Sequence, residues 1–162
     1  MAQQRFPDTR AEFRSPNGTY VVVNSDRDEK PFHSLTVKRR SDGSVINTYE
    51  YPRNVEIFWN PQGTVLAITD NYASNESKCL ILDLAQKNPD WADLTQALRN
   101  AGNSRQKSSL VRDDHVYTKV LRWRDDKTLE VKVSGYGEVD PKGFSYLYLY
   151  SLDGSARALH SN

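Results

Sequence analysis

The most constraining feature of this 162-residue chain is an internal repeat. Residues 13–23 match residues 58–68, and each copy places a Pro-x-Gly-Thr segment before a run rich in β-branched and aliphatic residues. A third, looser copy begins at Trp123. Self-similarity at a fixed spacing predicts a series of similar structural units, because each copy folds locally in the same way.

Each copy predicts a small antiparallel meander of short strands. Repeats of roughly 40–45 residues with this content are typical of propeller blades. The predicted units cover about residues 9–51, 55–84 and 116–160. We therefore predict an all-β chain, a single domain over residues 1–162, whose three blade-like meanders form an incomplete or small propeller.

An insertion at residues 88–115 separates the second and third predicted units. Asn88 supplies an N-cap signal, and apolar residues follow it at helical spacing. These features predict one α-helix over about residues 89–101. Residues 104–114 show no periodic pattern and predict a long loop, a kind of segment that is usually functional or disordered.

Aromatic residues are predicted to pack between the sheets. Trp59 and Trp123 occupy matching positions before the repeated turns, so we expect both to be buried. Tyr146, Tyr148 and Tyr150 share one face of a strand and are predicted to pack against a neighbouring sheet.

The repeated turns at residues 15–20 and 59–64 resemble those of WD40 and TolB-type propeller blades. Blades of those families commonly carry a Trp-Ser-Pro-Asp-Gly-like turn before a buried strand. Three units are fewer than a closed propeller needs. The resemblance therefore implies an open propeller, or one that a partner completes.

The chain is also similar to the periplasmic immunity proteins of type VI secretion peptidoglycan amidase effectors. The similarity lies in a propeller-like scaffold with a helix and a serine-bearing loop that contains Ser108 and Ser109. Such proteins plug the active-site cleft of a hydrolase. The resemblance implies a protein partner, a cell-wall amidase effector, and a periplasmic location for a mature chain without its signal peptide; a cytoplasmic location is the alternative.

These features predict a non-enzymatic protein-binding module that inhibits a secreted hydrolase through residues 104–114. Small hydroxyl side chains can hydrogen-bond a catalytic Cys or His in a narrow cleft without offering a cleavable bond. Flanking arginine and apolar side chains would anchor the loop. The loops at residues 26–30 and 136–143 are the next candidates for the binding surface. The predicted contact residues are Ser104, Ser108, Ser109, Leu110 and Arg112.

Two other functions remain open. The chain could be a structural subunit that completes a larger propeller, or a small metal- or ligand-binding enzyme that uses Asp113, Asp114 and His115. The sequence has no nucleophile elbow, no phosphate-binding glycine loop and no metal-ligand spacing of histidines. We therefore expect no catalytic residues, no metal and no cofactor.

Charge and hydropathy narrow the class of partner. The 22 basic and 21 acidic residues give a net charge of +1, which argues against a dedicated nucleic-acid binder. No apolar run reaches the length of a membrane span. We expect neither nucleic acid nor membrane as a partner. Cys79 is the single cysteine and is predicted to be a buried structural thiol.

Overall fold

The structure, a computed structural model, describes residues 3–159. Within these residues the chain forms thirteen strands and two short helices, which confirms the prediction of a mostly β fold. His160, predicted to end the third unit, lies outside the described residues.

The first meander is a four-stranded antiparallel sheet in chain order. A preceding strand, β1 (Gln3–Phe6), belongs to the next sheet. The first meander consists of β2 (Glu12–Arg14), β3 (Tyr20–Asp26), β4 (His33–Arg39) and β5 (Val45–Tyr51).

The second meander lies in the middle of the molecule. It consists of β6 (Val55–Trp59), β7 (Val65–Asp70), β8 (Glu76–Asp83) and β9 (Trp91–Asp93). β1 pairs antiparallel with β6 and extends this sheet by one strand. Every residue of β7 is buried, because both faces of the sheet are covered by neighbouring elements.

The predicted single helix over residues 89–101 is confirmed only for its second half. Its first part is β9, which pairs with β8, and the helix α1 (Thr95–Ala101) starts only afterwards. The Trp91 indole donates a hydrogen bond of 3.2 Å to the carbonyl of Thr48 in the first meander. This strand pairing and packing override the helical spacing of the local sequence, as tertiary context commonly does.

The predicted loop over residues 104–114 is also wrong for most of its length. Residues Ser104–Arg112 form a second helix, α2. Asn103 and Gln106 make a reciprocal capping box at its start, each side chain bonding the backbone N–H of the other. The Asn-x-x-Gln spacing is visible in the sequence and could have predicted this helix.

The third meander repeats the plan of the first. It consists of β10 (His115–Trp123), β11 (Thr128–Tyr136), β12 (Phe144–Ser151) and β13 (Ala156–Leu159). A short parallel pairing joins β10 to β8, at Val116 with Glu76 and Tyr117 with Ser77.

The repeated turns of the three meanders contact one another. The Asn17 side chain donates to the carbonyl of Gln62 at 2.8 Å, and the Gln62 N–H donates to the Asp126 carboxylate at 2.8 Å. Gly18 and Gly63 both have φ near +70°, a conformation that glycine adopts without strain. The sequence repeat is therefore also a structural repeat.

Two apolar cores lie on opposite sides of the second meander. One fills the space between the first and second meanders, and the other lies between the second and third, closed by α1 and α2. Trp59 stacks on Tyr20 at 6.3 Å between ring centroids, and the Trp123 indole donates to the carbonyl of Phe58 at 3.2 Å. Both tryptophans are buried against the preceding sheet, as predicted.

The tyrosine prediction also holds for the second core, which contains Tyr148 and Tyr150, with Tyr146 packed against it. Cys79 is fully buried there, and burial raises the pKa of its thiol to about 12. The described strands form two sheets, the four-stranded first meander and a nine-stranded sheet in which the β8–β10 pairing joins the second and third meanders, and neither sheet closes into a ring. The open-propeller interpretation stays a prediction.

Candidate functional site

The five predicted contact residues all lie on α2. Ser104 and Arg112 are exposed and Ser108 is half-buried, whereas Ser109 and Leu110 are 0% and 5% exposed. The prediction that Ser109 lies at an exposed loop tip is wrong, because the helix turns this side chain inward. Leu110 belongs to the second core.

A buried polar cluster fastens α2 to the loop between β11 and β12. The Asp140 carboxylate accepts hydrogen bonds from Ser109 Oγ and from Arg105 Nη2, each at 2.5 Å. The Ser109 hydrogen bond, followed by that of Arg105, holds the pKa of Asp140 below its usual range. Ser109 Oγ also lies 3.1 Å from the carbonyl oxygen of Arg105 and 3.2 Å from the Tyr146 hydroxyl.

A second set of contacts lies at the C-terminal end of the same helix. Arg112 forms an ion pair with Glu138, and the Val139 N–H donates to the Asp113 carboxylate at 2.7 Å. Gly137 is necessary here, because a Cβ atom at this position would lie 2.8 Å from the Asp113 Cα. Helix α2 and the loop over residues 137–143 therefore form one connected unit.

Ser109→Ala is expected to lower the free energy of unfolding by about 1–2 kcal/mol, because a buried hydroxyl loses its hydrogen bonds. Ser108→Ala removes the same group from a half-buried position and is expected to stay within about 0.5 kcal/mol of the wild type. Urea denaturation of both variants measures the difference. Equal effects would show that the Asp140 cluster does not hold the helix in place.

The alternative enzymatic residues do not converge on one point. Asp113 is directed to the backbone of Val139, whereas Asp114 lies 3.0 Å from His115 Nδ1. The His115 ring stacks on Tyr136, with centroids 4.2 Å apart. Within residues 3–159, no three His, Cys, Asp or Glu side chains are grouped to hold a metal ion.

A groove of about 430 Å³ opens between the two helices and the first residues of β8 and β10. Asp113 lines it, but Asp114 and His115 do not. Part of its wall is made by Leu98 and Leu110, which belong to the second core.

The third meander presents a second sheet face, opposite the face that packs on the core. Val120, Val131 and Tyr148 point into the second core, so alternate residues of the same strands point the other way. We call this side the outer face. It carries His115, Tyr117, Lys119, Arg122, Glu130, Lys132, Ser134, Tyr136, Leu147, Leu149 and Arg157.

Apolar side chains reach solvent on the outer face. Tyr136 is 47% exposed and Leu147 is 37% exposed. Leu147 lies beside Lys132 in the sheet register, and Leu149 lies between Glu130 and Arg157. The surface thus combines an exposed tyrosine, one exposed leucine and cations, whereas Leu149 is only 7% exposed.

The charges of the outer face are mostly positive. Glu130 accepts hydrogen bonds from Arg124 at 2.8 Å and Arg122 at 3.1 Å. These two guanidinium groups, Arg124 first, hold the pKa of Glu130 below its usual range. Two arginines therefore share one carboxylate as their ion-pair partner.

Sequence reasoning missed the outer face although a signal was present. In β12, Leu147 and Leu149 alternate with the tyrosines that pack into the core. Apolar residues on both sides of a strand indicate that both sides are covered, in contrast to a strand with one solvated face. The leucines therefore pointed to a second contact surface.

Comparison with protein-family models gives no match, and comparison with curated proteins gives no significant match. Neither helix of the described residues is both long and apolar enough to cross a membrane.

Proposed function

We propose that this protein is a non-enzymatic protein-binding module that contacts its partner through the outer face of the third meander. The observation that carries the proposal is the exposure of Tyr136 and Leu147 on a sheet face with Arg122 and Arg157. Tyrosine and arginine are enriched among the residues that dominate binding energy, and apolar groups form the centre of most interfaces.

Rigidity of the scaffold supports the proposal. The opposite side of the same sheet packs into the second core, so its strands are held in place before a partner arrives. A preformed surface loses less conformational freedom on binding, and therefore keeps more of its contact energy as affinity.

A more specific form of the proposal, an immunity protein that plugs the cleft of a secreted peptidoglycan hydrolase, rests on the resemblance described above. In that form the exposed part of α2 enters the cleft. Ser104, Arg112 and the 62% exposed Val111 are available for it, whereas Ser109 and Leu110 are not. His115 follows this helix closely and connects its end to the outer face.

Site-specific photo-crosslinking tests the proposal. A benzophenone amino acid is placed at Leu147 on the outer face, at Val111 on α2, or at Val45 as a control. Val45 is 58% exposed but lies on the first meander, away from both surfaces. In extracts of the native host, we expect a defined protein adduct from position 147 and none from position 45.

The affinity of variants for the captured protein then tests whether the outer face is the binding surface. Leu147→Asp is expected to weaken binding by about 30-fold or more, the effect of losing a central apolar anchor. Val45→Asp is expected to leave binding unchanged. An adduct from position 111 alone would place the partner on α2, and the same adducts from positions 147 and 45 would contradict a specific interface.

A structural subunit of a larger propeller is the second candidate function. The open row of meanders favours it, because within residues 3–159 the first and third meanders each pack on a neighbouring meander on one side only. A captured partner made of similar β-meanders that packs sheet to sheet would support this function. A partner with a catalytic cleft would support the inhibitor.

A further inference from the structure

The outer face contains two like charges placed directly opposite each other. Lys119 of β10 and Lys132 of β11 are paired in the antiparallel register. Like charges in directly opposite positions destabilise a sheet. Glu56 forms an ion pair with Lys119 at 3.3 Å and offsets part of this repulsion, so Lys132 is the member of the pair that has no carboxylate partner within residues 3–159.

The carboxylates near this face compensate only some of its cations. Glu56 lies 3.3 Å from Lys119, and Glu130 is shared by Arg122 and Arg124. Within residues 3–159, neither Lys132 nor Arg157 takes part in an ion pair. These two cations lie on either side of the two leucines, Lys132 beside Leu147 and Arg157 beside Leu149.

We infer that the partner of the outer face is a protein with an acidic contact surface, and that Lys132 and Arg157 bind its carboxylates around an apolar centre at Leu147. This inference rests on the proposed function and specifies the partner's chemistry. Opposite charge at the contact steers association and excludes basic partners. Lys132 and Arg157, which form no ion pair within residues 3–159, then gain carboxylate partners in the complex.

The apolar centre distinguishes this surface from a nucleic-acid site. Leu147 is exposed beside Lys132, and the chain as a whole is nearly neutral. Phosphate contacts depend on basic and polar groups and gain nothing from an exposed leucine. A second copy of the chain is a poorer fit, because the outer side of the first meander has Lys38 as well as Glu50.

Lys132→Met tests the inference with two readouts of opposite sign. The methionine keeps most of the length of the side chain and removes the remaining repulsion with Lys119, so we expect the melting temperature to rise slightly. Binding of a synthetic oligo-glutamate peptide, followed by NMR, is expected to weaken by about fivefold or more. Added salt should weaken wild-type binding, because the attraction is electrostatic.

Lys38→Met is the matched control, since it removes the same charge from the first meander. It is expected to change neither the melting temperature nor the binding of oligo-glutamate. Wild-type shift changes should fall on residues of the outer face. Equal effects of the two variants, shift changes spread over unrelated lysines, or tighter binding of an oligothymidylate of equal length would each overturn the inference.

The outcome separates this inference from the proposed function. If position 147 captures a protein partner but Lys132→Met does not weaken that complex, the acidic surface is refuted and the binding module stands. If position 147 captures no partner, the proposed function itself fails.

Discussion

Trp59→Ala is expected to lower the free energy of unfolding by about 3–5 kcal/mol, the range for a large aromatic side chain removed from a core. Trp59 is 2% exposed and packs between the first and second meanders, where it stacks on Tyr20. The cavity would lie between two sheets whose backbones are fixed by their own hydrogen bonds. Urea denaturation, followed by circular dichroism, measures the loss.

A matched pair of conservative variants separates packing from hydrogen bonding. The buried Trp59 indole N–H has no hydrogen-bond partner among the described residues, whereas that of Trp123 donates to the carbonyl of Phe58. Trp59→Phe removes an unsatisfied donor, so it is expected to cost about 1 kcal/mol less than Trp123→Phe. A loss below about 1 kcal/mol for Trp59→Ala would contradict its place in the core.

Gly135→Ala is expected to lower the free energy of unfolding by about 3 kcal/mol, the upper end for overpacking. A Cβ atom at this position would lie 1.9 Å from the backbone oxygen of His115 and 3.0 Å from the Phe144 ring. The oxygen belongs to the adjacent strand and cannot rotate away, so β10 and β11 must separate locally. Thermal and urea unfolding measure the loss, and shifts of the His115 ring signals report the local change.

Gly43→Ala is the control for this substitution. Its Cβ atom would meet no other atom within 4 Å, but the φ of +71° is unfavourable for alanine. We expect a loss of about 1 kcal/mol from backbone strain alone. If the two variants lose the same stability, the close approach of β10 and β11 at Gly135 is not as tight as described.

The meanders could be located from the sequence because the signals that mark them involve residues close together in the chain. Pro-x-Gly-Thr turns define where strands end, and Gly18 and Gly63 take the positive φ that the turn requires. Apolar alternation then assigns one face of each strand to a core, as for Tyr148 and Tyr150. These signals depend on residues close in sequence and need no knowledge of distant contacts.

The predictions for residues 88–115 were partly wrong because contacts with distant residues decide the structure there. Trp91 and the residues after it carry helical spacing, but the free edge of β8 pairs with them and the first meander binds the indole. Ser109 was expected at an exposed tip because the serines looked like loop residues. Its hydroxyl is instead bonded to Asp140, 31 residues further along the chain.

The sequence by itself therefore determined the repeat, the turns, the buried tryptophans and the mostly β composition of this protein. Only the tertiary structure decided that Trp91–Asp93 is a strand, that Ser109 is buried, and that Lys119 faces Lys132 on an exposed sheet face. Turn chemistry and side-chain alternation act over a few residues and can be read along the chain. Strand pairing and the clustering of charges join residues that are far apart in sequence, so they exist only once the sheets have assembled.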